Sequence, residues 1–137
     1  MNEPNERLES TAEWLSSAND EILTVELLRE KGQQLTSQIC FHSQLAAEKA
    51  IKAGLTFLNV EFPLIHNLVK LSNLLPPDWD SLPETEALTV LSEWAVKGRY
   101  TRTTTRPSIG QSEEAYRQAK AVIEAITKEL NDRKFSL

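Results

Sequence analysis

Phe41-His42-Ser43-Gln44-Leu45-Ala46-Ala47-Glu48-Lys49-Ala50-Ile51-Lys52-Ala53-Gly54-Leu55-Thr56-Phe57 decides the fold of this chain, because its apolar residues fall on more than one side of a helix. Ile39, Ala46, Ala50, Ala53 and Phe57 form one row, and Cys40, Ala47, Ile51 and Leu58 form another. A surface helix carries a single core-facing stripe, so two rows predict a helix surrounded by several neighbours. Read from about residue 34 to 59, it extends roughly 39 Å at about 1.5 Å per residue, long enough to cross a domain. Gly54 lowers helix propensity by about 1 kcal/mol relative to Ala, and its missing side chain admits a closely packed partner.

Outward from this helix the same periodicity recurs. Ser10-Thr11-Ala12-Glu13 has the spacing of a capping box and predicts a helix start. Ala12, Leu15, Ala18, Ile22, Val25 and Leu28 then share one face, with Trp14 beside it and Gly32 as the stop. Beyond Pro63, a short third helix is expected from His66 to Leu75, carrying Leu68, Leu71, Leu74 and Leu75 and ended by Pro76-Pro77. Ser81-Leu82-Pro83-Glu84 is a second capping-box spacing, followed by Leu88, Leu91 and Trp94 or Ala95 on a fourth helix that ends near Gly98. The last helix is expected from about Ser112, with Glu113 and Glu114 at the positive end of its dipole and Ala115, Ala119, Val122, Ile126 and Leu130 on one face. Nothing reads as a strand. The expected fold is all-α: an up-and-down antiparallel helical bundle of four long helices plus a short helix. A single domain is expected over residues 8–134, with flexible termini at 1–7 and 135–137.

A chain of 137 residues with 40% hydrophobic and 26% charged residues fits one soluble core rather than a disordered segment. The single Cys40 has no internal disulfide partner and lies among apolar residues, so a buried thiol is expected. No run approaches the roughly 20 apolar residues of a membrane span, and the first residues lack a basic region and an apolar signal core. The expectation is a cytoplasmic protein that makes no membrane contact. A net charge of −5 argues against broad nonspecific binding to nucleic acid, and DNA is not an expected partner. There is no Gly-rich phosphate loop, paired-cysteine motif or nucleophile elbow. The two histidines, His42 and His66, are too far apart for a metal motif, so neither metal nor cofactor is expected.

Some polar residues stand out against this background. His42 and Lys49 are seven residues apart, about two turns, and project from a similar face. They can meet a common ligand; alternatively, His42 is hydrogen-bonded and partly buried while Lys49 reaches solvent. Glu48 and Lys52 have the acid-before-base spacing of a surface ion pair. His66-Asn67 is placed to satisfy an amide at the start of the third helix. Lys97, Arg99, Arg102 and Arg106 fall in a stretch containing no acid, although the chain as a whole is acidic. Arginine forks hold phosphate or carboxylate through paired hydrogen bonds, Tyr100 can stack on a base, and Thr101, Thr103, Thr104 and Thr105 can donate further bonds. The alternative is that these cations pair with acids elsewhere in the fold or across a subunit boundary. Lys97, Arg99, Tyr100, Arg102 and Arg106, with His42 and Lys49, are therefore the candidate ligand-binding residues, and no catalytic residue is assigned.

The block from Phe41 to Ala53, then His66-Asn67-Leu68, and finally Arg99-Tyr100 before the last helix resembles the HEPN domain family over nearly the whole chain, from Trp14 to Leu130. The resemblance implies an up-and-down bundle that is usually a homodimer. Many members of that family are metal-independent endoribonucleases, toxins of toxin–antitoxin pairs among them. They act through an Arg followed a few residues later by a His. Arg99 or Arg102 stands in the Arg position here, but no His follows either one. Other members are encoded beside small nucleotidyltransferases, which implies a nucleotidyltransferase partner. The resulting expectation is a non-catalytic binding module that contacts a nucleotide, RNA or such a partner through the basic loop. The alternatives are a divergent endoribonuclease using Arg102 with Tyr100 or His42, and a purely structural interaction module.

Overall fold

The computed structural model describes residues 4–31, 35–97 and 106–135. They form five helices: α1 (Pro4–Lys31), α2 (Thr36–Phe57), α3 (Leu68–Ser72), α4 (Thr85–Lys97) and α5 (Ile109–Asp132). No strand occurs among the described residues. The architecture is the expected all-α up-and-down antiparallel bundle of four long helices with the short α3 at its side.

The central element is α2, which packs against all four other helices. Ile39, Cys40, Ala46, Ala47, Ala50, Ile51, Ala53, Gly54 and Leu55 are all buried on it, so both sequence rows meet partners. Small residues allow the neighbours to come close. A Cβ added at Gly54 would lie 2.9 Å from Trp79 Cζ3, 3.3 Å from Ile126 Cδ1 and 3.4 Å from Leu75 Cδ2. The rest of the core includes Ala18, Leu68, Leu71, Leu75, Trp79, Leu88, Leu91, Trp94, Ala115, Ala119, Val122, Ile123, Ile126 and Leu130. Leu74 departs from the expected face of the third helix and is 40% exposed. The helix stops at Ser72 and the chain turns, carrying Leu75 into the core.

Several helix ends differ from the capping-box reading. Ser10 lies inside α1, which begins six residues earlier at Pro4; a proline suits a first turn, where no intrahelical donor is needed. Residues 4–7 are therefore helical, and Arg7 donates from its guanidinium to the Phe57 carbonyl. The Ser81 pattern does not open α4 either, which starts at Thr85. The capping box that is used belongs to α5: the Ser108 hydroxyl accepts from the Gln111 amide at 3.1 Å, and Gln111 Oε1 accepts from the Ser108 amide at 2.8 Å. This starts α5 at Ile109, ahead of Ser112.

Two C-terminal ends close alike. After α2, Asn59 takes φ 59° and the Val60 amide donates back to Leu55 O at 2.9 Å. After α5, Lys134 takes φ 59° and the Phe135 amide donates to Leu130 O at 2.9 Å. Both are left-handed closures followed by an apolar residue that folds onto the helix. Phe135 reaches the edge of the Phe57 ring, 5.9 Å between centroids, so this residue is packed although the sequence reading assigns it to a flexible terminus.

Candidate functional site

Two carboxylates organise the polar side of α2. Glu21, on α1, receives His42 Nδ1 at 2.7 Å on one oxygen and Lys49 Nζ at 2.7 Å on the other. The common partner of His42 and Lys49 is thus an acid of the neighbouring helix. Burial raises the Glu21 pKa, but the bonds and charges of Lys49 and His42 outweigh it and hold the carboxyl below its ordinary value. Nothing in sequence spacing points to Glu21, because it lies on a different helix and its contact depends on how α1 and α2 cross.

Glu48 is the second carboxylate, and here the expectation of a surface ion pair fails. Glu48 is 4% exposed and Lys52 is 6% exposed. The face of α2 that carries them is covered, with Trp14 and Phe62 over the Lys52 ammonium at 5.4 and 5.6 Å from the ring centroids. Lys52 Nζ donates to Glu48 Oε2 at 2.8 Å, and Gln44 Nε2 donates to Oε1 at 3.0 Å. His66 Nδ1 lies 2.9 Å from Oε1 and 3.1 Å from Oε2. Burial pushes the Glu48 carboxyl up, and these donors together with the Lys52 charge pull it below its ordinary value. It is therefore an anion at neutral pH, which requires His66 Nδ1 to carry the shared proton.

His66 is fixed from the backbone as well. Its carbonyl accepts from Gln44 Nε2 at 3.1 Å and from Ser92 Oγ at 3.2 Å, while the same Ser92 Oγ accepts from the Leu68 amide at 3.0 Å. The expected cap of α3 is supplied by Asn67, whose Oδ1 accepts from the Lys70 amide at 3.0 Å. His66 does different work, holding the buried acid while its side chain stays 56% exposed. Gln44 and Ser92 escape sequence reading because each bonds a residue more than twenty positions away.

The basic stretch joins α4 to α5. Lys97 is the last residue of α4, and Arg106 is exposed just ahead of buried Pro107 and the Ser108 cap. Arg99, Tyr100 and Arg102 lie outside the described residues. Between α4 and α5, near this junction, runs an apolar groove of about 300 Å³ lined by Val90, Leu91, Trp94 and Ala115. No group of three or more potential metal ligands occurs among the described residues, and none of the helices described is long and apolar enough to cross a membrane.

Comparison with known proteins places this geometry. Residues 11–130 match the HEPN domain family model. Among solved structures, the chain is similar to TT1696 from Thermus thermophilus, at 24% identity over 88% of this chain and 98% of that one, with a TM-score of 0.74. It is also similar to ST0689, an archaeal HEPN homologue, at 19% identity over 88% of this chain and 97% of that one, with a TM-score of 0.63. None of the curated proteins compared matches the chain.

Proposed function

Because this chain belongs to the HEPN domain family, we propose that it is a non-catalytic HEPN binding module that pairs with a second copy and contacts RNA, a nucleotide or a nucleotidyltransferase partner through Lys97–Arg106. The observation that carries the reading is the local charge inversion: four cations and no acid between positions 97 and 106 of a chain whose net charge is −5. Cations clustered on one segment neutralise phosphate where the rest of the surface repels it. A non-catalytic role is supported by the histidines. The only two in the chain, His42 and His66, are hydrogen-bonded to Glu21 and Glu48, and neither follows an Arg of the basic segment. General acid–base chemistry at that segment would then lack its imidazole.

Fluorescence anisotropy with a single-stranded RNA tests the reading. If all four cations contact phosphate, log affinity falls with log salt at a slope of about −3, and Arg99→Ala or Arg102→Ala each reduces that slope by about 0.7 without altering the far-UV circular dichroism. Unchanged binding of RNA and nucleotide in both variants, together with undiminished capture of a nucleotidyltransferase partner, would sink the proposal. Cleavage of the RNA would replace it with the endoribonuclease alternative. Sedimentation of a monomer at micromolar concentration would remove the paired copy.

A further inference from the structure

The two faces of α1 differ in what they meet. Thr11, Ala18 and Val25 are buried against the bundle, with Leu15 and Ile22 packed beside them. Leu23 and Leu27 lie on the opposite face and are 54% and 55% exposed. A single exposed leucine is ordinary on a protein surface, but these two are four residues apart and adjoin one another on the helix. The helices of the same chain lie on the other side of α1, so a cover for this pair has to come from another molecule.

The charges around the leucines say which molecule fits. Asp20 stands one turn before Leu23 and Lys31 one turn after Leu27. Eleven residues are about three helical turns, so the two charges line up along one edge of the exposed stripe. Both are exposed and have no ionic partner among the described residues. Their neighbours are engaged within the chain: Glu21 with His42 and Lys49, Glu26 with Tyr116, and Arg29 with Glu113. The order acid, Leu, Leu, base is its own complement when reversed. Laid antiparallel about a two-fold axis midway between the leucines, Leu23 of one copy meets Leu27 of the other, and Asp20 meets Lys31, each contact occurring twice. Glu30 falls on the other edge of the stripe and there faces the uncharged Asn19 of the second copy, so no like charges are opposed. A parallel arrangement would set Asp20 against Asp20.

We propose that the outward face of α1 is the surface on which a second copy of the chain seats, α1 against α1 and antiparallel, with Leu23 and Leu27 at its centre and Asp20–Lys31 pairs at its two ends. This rests on the pairing of two copies under the proposed function and gives it a face and a register. Four leucines and two ion pairs form a small contact, at the low end of specific interfaces, so the dimer is reversible and its dissociation constant can be measured. Sedimentation equilibrium of the whole chain at micromolar and higher concentrations tests it. Leu27→Asp should weaken the dimer about a hundredfold or more, because the two-fold axis removes two leucines at once and brings in two carboxylates. Asp20→Lys and Lys31→Asp should each weaken it about tenfold, since each turns both ion pairs into repulsions. The double variant Asp20→Lys with Lys31→Asp should recover to within about threefold of wild type, because both pairs form again with their signs exchanged. All three positions are exposed, so the variants should keep the far-UV circular dichroism of the wild type. A monomer at micromolar concentration would overturn this proposal together with the pairing it rests on, leaving the leucines to a different protein. A dimer that Leu27→Asp does not weaken would overturn this face alone, leaving the pairing to another surface. A dimer that Leu27→Asp weakens and the double exchange does not rescue would overturn the antiparallel register, and the proposal with it.

Discussion

Replacing Glu48 by Gln tests the whole account of the polar face of α2. The side chain keeps its size, so packing is unaltered, but the negative charge that holds Lys52, Gln44 and His66 disappears. Lys52 is then a buried ammonium, 6% exposed, with only a neutral amide oxygen and the Trp14 and Phe62 rings beside it. Removing one partner of a buried pair costs roughly 3–5 kcal/mol, and the retained oxygen and the ring contacts place this case near the lower end, about 3 kcal/mol. For a domain of this size that is a fall in melting temperature on the order of 10 °C. Urea titration of wild type and variant measures it directly. The double variant Glu48→Gln with Lys52→Met should recover much of the loss, because no buried charge is then left alone. The pH dependence supplies a second readout. The Glu48 pKa is lowered in the folded protein, so its stabilisation is complete above the ordinary carboxylate range, about pH 4, and is lost as pH falls through the lower folded value. Glu48→Gln should therefore flatten the acid limb of the stability profile, leaving the part due to Glu21. A loss below about 1 kcal/mol, with an unchanged acid limb, would refute the reasoning, because surface pairs are worth no more than that.

Gly54→Ala sets a gain of about 1 kcal/mol in helix propensity against an overpacking cost of about 1–3 kcal/mol. With Trp79 Cζ3 only 2.9 Å from the new Cβ and Trp79 itself buried, the cost should win and the urea midpoint should fall; a rise would show that Trp79 can retreat. Cys40 is fully buried and its thiol is pushed up to about 12 by desolvation, so it should not react with a thiol reagent at pH 8 until the protein is unfolded by denaturant. Rapid labelling of the native protein would contradict this packing.

Helix count and type were legible because hydrophobic period is a local property. The face of α5 reads as Ala115, Ala119, Val122, Ile126 and Leu130, and all five are buried. Boundaries were less legible, since Ser10-Thr11-Ala12-Glu13 and Ser108-Ile109-Gly110-Gln111 share a capping spacing and only the second is used. The membership of α2 in a HEPN bundle was also readable, since its polar residues recur at fixed spacing along one helix. What those residues do was not. His42 and Lys49 suggest a common ligand, yet that their shared partner is Glu21 follows from the approach of α1 to α2. Glu48 and Lys52 have the spacing of an exposed pair, and the same spacing describes a buried one; Trp14 on α1 and Phe62 after α2 decide between them. His66, in the segment before α3, and Ser92, on α4, meet only when α4 packs beside α3. Sequence by itself determined the helices, their apolar faces and the basic stretch, because these depend on neighbours a few residues away. Tertiary structure alone decided which charges are buried and which acid each histidine meets, because burial and pairing are set by contacts between segments that the chain order leaves far apart.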